Sequence, residues 1–345
     1  MIRTSLAALT LVAFGATAGL AASNEVNLYS YRQPFLINPM LDAFTKETGI
    51  KVNVVYAKSG VLEKLKAEGA NSPADVILTV DVARLNDIAA AGLLQPVKSA
   101  TLEKNIPAHY REPNGLWFGL TTRARVIFVS KARVKEGQIK SYEDLTDPKW
   151  KGRICTRSGK HPYNISLIAS VIAHKGEKGA ETWLKGLSAN LARKPQGNDR
   201  AQAKAILEGV CDAALANTYY MGAMATNDKQ PEQKTWADAV RIVFPNQGDR
   251  GTHVNISGAA VTKSAKNRDN AIKLLEFLSG DTAQKLYAAK NFEYPVKVGV
   301  EWDPVVASWG RFEADKLNLT DVAKHRADAS ILVDKTGFDQ SIGGS

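Results

Sequence analysis

Three tyrosines are the side chains in this sequence best placed to do chemistry. Tyr219 and Tyr220 are adjacent, follow the short apolar run 213–216 and open a helical stretch over 221–225. Tyr163 follows a second strand pattern, 153–156, through the turn Ser158-Gly159-Lys160, and immediately precedes another helix. Phenol ionises near pH 10, so a phenolate at neutral pH needs a compensating positive charge. A trivalent cation supplies it by favouring the ionised form, and helix N-termini add a smaller contribution. Three phenolates neutralise Fe(III) charge for charge, and oxygen donors suit that hard ion. The same residues also have an ordinary reading as packing, because tyrosine is amphipathic and adjacent pairs often divide between core and surface.

Other chemistry is thinly represented. His161 stands three residues after Ser158, but no G-x-S-x-G elbow surrounds that serine. None of the five histidines pairs with another at ligand spacing, and H-E-x-x-H, a P-loop and a dinucleotide fingerprint are missing. An enzyme is therefore not expected. Cys155 and Cys211 lie in neither C-x-x-C nor zinc-type spacing. In an oxidising compartment they form either a disulfide, worth about 4 kcal/mol in the chain-entropy model, or two buried thiols. The formal charge is +10, yet basic residues are dispersed among acids and no Lys/Arg block carries interleaved aromatics. Nucleic acid is not an expected partner.

The elements that must position the tyrosines follow from hydrophobic periodicity. Val26 and Leu28 alternate with polar neighbours in a strand ending near Tyr31, and Leu36, Ile37, Met40, Leu41 and Phe44 form a helical stripe that stops at Gly49. Residues 51–56 read as a strand, 59–68 as a helix, and 74–80 as a buried parallel strand. Asp81 caps a helix with Val82, Leu85, Ile88 and Ala89 inward, ending at Gly92. This βαβαβα series predicts a parallel sheet with helices on both faces. A second series places strands at 153–156, 213–216 and 241–244 and helices at 164–174, 180–189 and 201–209. The β-rich stretches 121–130 and 254–261 read as two strands crossing between lobes, and a helix after Asn267 presents Ile272, Leu275 and Leu278. Two α/β lobes joined this way form a clamp whose interlobe cleft faces the carboxyl ends of the strands.

The N-terminus has the three-part layout of a secretory signal peptide over residues 1–22. Arg3 supplies a positive start, residues 6–14 are apolar apart from Thr10, and Gly19-Leu20-Ala21-Ala22 offers cleavage near Ala21 or Ala22. The run is too short for a stable membrane span. No cysteine at that site could take a lipid, so export to the periplasm is expected. Processing removes only Arg3 among charged residues, so +10 becomes +9. About 320 residues remain, enough for two domains around separate cores.

Longer motifs sharpen the reading. N-L-Y-S-Y-R-Q-P-F-L-I (27–37), P-A-D-V-I-L-T-V-D (73–81), W-F-G-L-T-T-R-A-R-V-I (117–127) and L-A-R-K-P-Q-G-N-D-R (191–200) resemble the ferric-ion-binding proteins of bacterial ABC importers. R-S-G-K-H-P-Y-N-I-S-L (157–167), N-T-Y-Y-M-G (217–222) and N-I-S-G (255–258) extend the resemblance over essentially the whole mature chain. It implies a two-lobed type II periplasmic binding protein, α/β, with two crossing hinge strands. The expected lobes are 23–121 plus about 256–290, and 122–255 plus about 291–345. It also implies an inner-membrane ABC permease as partner and a monomer in solution.

Residue by residue, the resemblance makes Tyr163, Tyr219 and Tyr220 the iron ligands. Several relatives add a His-Tyr pair after the first strand, whereas the matching positions here look like Gln33-Pro34, neither a good ferric ligand. The resemblance is closest to members that fill the open positions with a carbonate-like anion. Arg32 and Arg123 are candidates to hold it, with Gln33 as a hydrogen-bond donor. A structural salt bridge at the hinge is the competing role for both arginines. The competing cargoes are a polyamine, thiamine or an oxyanion such as phosphate. A polyamine calls for cleft carboxylates, of which Asp81 is the obvious one, and an oxyanion calls for hydroxyls such as Ser30, Ser59 and Ser158 near helix starts.

Overall fold

The computed structural model describes residues 24–341, so the signal peptide expected over 1–22 lies outside the described residues. The first series folds as β1 (Glu25–Ser30), α1 (Pro34–Thr48), β2 (Lys51–Tyr56), α2 (Val61–Glu68), β3 (Val76–Thr79) and α3 (Val82–Ala90). In α1, Ile37, Met40, Leu41 and Phe44 form the buried stripe while Leu36 is only half-buried. Gly49 ends the helix at φ 72°, donating to the Thr45 carbonyl, a conformation that favours glycine. Asp81 caps α3 by accepting from the Ala83 N–H. β1 lies between β2 and β3, parallel to both, as the βαβαβα pattern requires.

After α4 (Ala100–Asn105), the chain enters β4 (Phe118–Ser130), fully buried along its 13 residues. The second series contains β5 (Ile154–Cys155), α5 (Pro162–Ala189), α6 (Asp199–Leu207), β6 (Ala213–Asn217), α7 (Tyr219–Ala225), α8 (Glu232–Asp238) and β7 (Val240–Val243). Gly176 at φ 70° breaks α5 into two helical stretches, consistent with the separate patterns at 164–174 and 180–189. The chain returns through β8 (Val254–Val261) to α9 (Arg268–Leu278), α10 (Asp281–Asn291) and β9 (Tyr294–Pro295). It closes with α11 (Pro304–Ala307), α12 (Leu319–Lys324) and α13 (Arg326–Lys335). The buried face of α9 is Ala271, Leu274, Leu275 and Leu278; Ile272, expected inside, is half-buried.

The strands run in the order β2-β1-β3-β8-β4-β6-β5, with β7 and β9 also pairing with β4. Only β2-β1-β3 and β5-β6 are parallel; β8 is antiparallel to β3 and β4, and β4 to β6, β7 and β9. β4 pairs with β8 through Ala124 and with β6 from Arg125 onward, so one strand serves both halves. A second core, around Tyr142, Trp150, Trp183 and Phe338, is built wholly from residues between Ile127 and Phe338. The larger core does not stop at the crossing strands: it runs through Phe118, Leu120 and Ala124 to Cys155, Ala214 and Met224. The two cores are therefore less segregated than chain length suggests.

Candidate functional site

β5 and β6 are neighbours in register, Ile154 opposite Ala213 and Cys155 opposite Ala214. Cys155 and Cys211 are joined in a disulfide, with Cα atoms 5.9 Å apart, which fastens the entry of β6 to β5. Thiol pairing is thus resolved in favour of the bond. The segments leaving these two fastened strands deliver all three tyrosines. His161 caps α5, its Nδ1 accepting from the Tyr163 N–H at 3.2 Å, so Tyr163 lies in the first turn. Tyr219 and Tyr220 open α7, directly after β6 and Thr218.

The phenols converge. Tyr219 Oη donates to Tyr163 Oη at 3.0 Å, and the rings of Tyr219 and Tyr220 stack with centroids 4.4 Å apart. All three residues are half-buried. Burial, then the neighbouring Tyr220, pushes the Tyr163 phenol above its ordinary value; burial, then Tyr163 and Tyr220, pushes Tyr219 well above it. Both are protonated at neutral pH. Ionising this cluster needs a strong local cation.

Charged groups frame the phenols. Buried Asp199 accepts from Arg125 at 2.7 Å, from Arg157 at 3.1 Å and from the Asn217 N–H at 2.8 Å. So anchored, Arg157 sits 5.0 Å from the centre of the Tyr163 ring, and Arg200 lies 5.1 Å from that of Tyr220. Burial and Arg157 push His161 down to about 4, so its imidazole is neutral at neutral pH and meets the Tyr163 ring edge-on at 4.5 Å. Sequence reading missed Arg157, Asp199 and Arg200, although all three fall inside the quoted motifs. Only their spatial meeting reveals the role.

The candidate anion residues are placed differently. Arg123 shares the wall of a small cavity with Tyr163, Arg125 and His253. Its guanidinium donates to the Val80 carbonyl and, at 3.3 Å, to Ser257, and stands 4.0 Å from Asp81. Arg32 is buried and bound to Glu293 at 2.9 Å, so the hinge salt bridge is what this conformation contains. Gln33 is exposed at the start of α1, with no side-chain cap bond. Among the described residues, no group of three or more His, Cys, Asp or Glu side chains could hold a metal, and no helix is long and apolar enough to cross a membrane.

Residues 29–285 match the family described as bacterial extracellular solute-binding protein. The Iron uptake protein A1 of Synechocystis is 48% identical over 91% of this chain and 87% of its own length. A ferric iron-binding protein A of Mannheimia haemolytica, crystallised in an open conformation, superposes with a TM-score of 0.88 at 53% identity, covering 92% of this chain and 99% of that one. A Trichodesmium protein crystallised with iron and citrate gives 0.88 at 47% identity, covering 91% and 99%. The architecture is that of a two-lobed type II periplasmic binding protein.

Proposed function

Given that the chain belongs to the bacterial extracellular solute-binding protein family, we propose that it is the periplasmic ferric-iron-binding component of an ABC importer. It captures Fe(III) on the phenolates of Tyr163, Tyr219 and Tyr220 and hands it to an inner-membrane permease. It is a monomeric binder rather than an enzyme, exported by a signal peptide over 1–22. The observation that carries the ligand assignment is the 3.0 Å separation of the Tyr163 and Tyr219 oxygens beside the stacked Tyr220. Adjacent oxygens around a small octahedral cation, with bonds of about 2.0–2.1 Å, are themselves roughly 2.9 Å apart. Two ligands thus stand at nearly their bound spacing, joined by a hydrogen bond that the metal replaces.

The lobes are 23–121 plus about 256–290 and 122–255 plus about 291–345, hinged near the partner change in β4. A carbonate-like anion fills metal positions that the phenolates leave open. Arg123 is the nearest anchor because it shares the cavity wall with Tyr163. Arg32, already held at the hinge by Glu293, is a second anion candidate, and Gln33 approaches from the other lobe on closure, which a ligand touching both lobes favours.

The groups that would serve other cargoes are committed elsewhere. Asp81 caps α3 and accepts from Asn255 at 3.0 Å, which leaves no free carboxylate there for a polyamine. The Ser158 hydroxyl and the Gly159 N–H both donate to Asp339 at 2.6 Å, so that turn already holds a carboxylate. Native mass spectrometry of the mature protein with ferric salt plus bicarbonate, phosphate, putrescine or thiamine tests the cargo. One ferric ion per chain is expected; retention of an organic cation or phosphate with no uptake of iron contradicts the reading.

A further inference from the structure

The turn between α10 and β9 joins parts of the site that lie far apart in sequence. Phe292 is at φ 55°, a left-handed conformation that a bulky residue adopts only when its surroundings enforce it. Its ring lies against the backbone of Gly222 in α7; a Cβ there would stand 2.4 Å from the ring. The next residue, Glu293, is buried. Its carboxylate accepts from Arg32 at 2.9 and 3.0 Å, from Ser257 on β8 at 3.0 Å, and from Thr121 on β4. Ser257 in turn accepts from Arg123 and from Arg32. Burial alone would raise the Glu293 carboxyl, but Arg32 and Arg123 outweigh it and hold it below its usual value. One anion therefore meets Arg32 and both crossing strands, while its neighbour in sequence packs on the helix that starts with Tyr219 and Tyr220.

We infer that Glu293 is a positioning residue for cargo capture, fixing Arg32 at the hinge in register with the phenol-bearing helix. This rests on the ferric reading above. It assigns Glu293 no contact with the metal: the carboxylate acts by keeping Arg32, and through Ser257 also Arg123, where an anion on the open metal positions meets them. A supporting residue of this kind typically changes metal affinity by about 10–100-fold.

Glu293→Gln keeps the shape and removes the charge, leaving the Arg32 guanidinium buried without its partner. The test follows iron-loaded protein by visible absorption, release of iron to citrate, and the bicarbonate concentration needed for half-maximal loading. Expected are release faster by on the order of ten-fold, a raised bicarbonate requirement and a displaced band, with Glu293→Asp recovering part of each. A variant that merely melts earlier, with release within two-fold of wild type or slower and the same bicarbonate requirement, overturns the inference. If Glu293→Gln does not fold, Thr121→Val combined with Ser257→Ala removes the hydroxyls that hold the carboxylate and leaves the ion pair. Smaller shifts in the same direction are expected there, because the ion pair with Arg32 remains, and wild-type values overturn it. Failure of the ferric reading is separate: wild type itself would then load no iron.

Discussion

Tyr→Phe at any one of positions 163, 219 or 220 is expected to lower ferric-ion affinity by more than about 100-fold. Supporting residues around a metal already account for about 10–100-fold, and a ligand atom should exceed them. The substitution deletes one oxygen and keeps the ring, so the stack of Tyr219 on Tyr220 and the Arg157 contact with Tyr163 survive. Loss of the Tyr219–Tyr163 hydrogen bond costs roughly 1 kcal/mol, a small shift in the melting temperature of the iron-free protein. Packing residues would behave in the opposite way, with lost stability and intact binding. Tyr29, whose hydroxyl donates to Glu68 at 2.9 Å, is a clean control. Tyr287 is not, because Arg32 lies 5.8 Å from its ring centre and couples it to the hinge. Isothermal or competition titration of the three variants and Tyr29→Phe separates the readings; affinities within a few-fold of wild type at all three positions would end the phenolate assignment.

The second large effect is that of pH on loading. Burial holds the phenols of Tyr163 and Tyr219 protonated, so capture of iron on phenolates, as proposed, is expected to release protons. Three phenols give about three protons per iron, and affinity then falls by up to about 1000-fold per pH unit of acidification. From pH 6.5 to 8 neither His161 nor His253 changes charge, because burial pushes both down to about 4. The effect on folding runs differently. Phenols whose folded values are raised stabilise the iron-free protein below pH 10, and that contribution is lost as pH rises through the folded values. The depressed histidines contribute stability above pH 6.5 that is lost as pH falls toward 4. Competition against a chelator of known protonation, at fixed total bicarbonate, should give a slope of about three, or about four where the anion enters as carbonate drawn from bicarbonate; a slope below about one contradicts phenolate ligation.

Much of the scaffold was legible because local rules and the fold agree. The stripe in α1, its glycine stop and the Asp81 cap carry their signals within a few residues, and the structure has each in place. The crossing strands were legible as long β-rich runs, and their partner change near Ala124 is a tertiary fact that no local pattern contains. The tyrosines were visible as strand-to-helix residues, but not their meeting, which depends on β5 lying beside β6. Asp199 with Arg125 and Arg157, and Glu293 with Arg32, went unread for a simple reason. A buried ion pair between residues 42 to 261 positions apart leaves no periodicity, and one charged residue looks like another on a surface. Ile272 failed in a smaller way: 3.6-residue periodicity places a stripe to within one neighbour, and Ala271 and Leu274 took the inner positions.

The most direct test of the phenolate account is a visible absorption titration of iron-free mature protein with ferric iron in bicarbonate buffer. Phenolate-to-iron charge transfer should give a coloured band that grows linearly to one equivalent, vanishes on stripping with citrate and returns on reloading. A protein that binds ferric iron without any such band, or that stays colourless with no iron bound, contradicts ligation by Tyr163, Tyr219 and Tyr220.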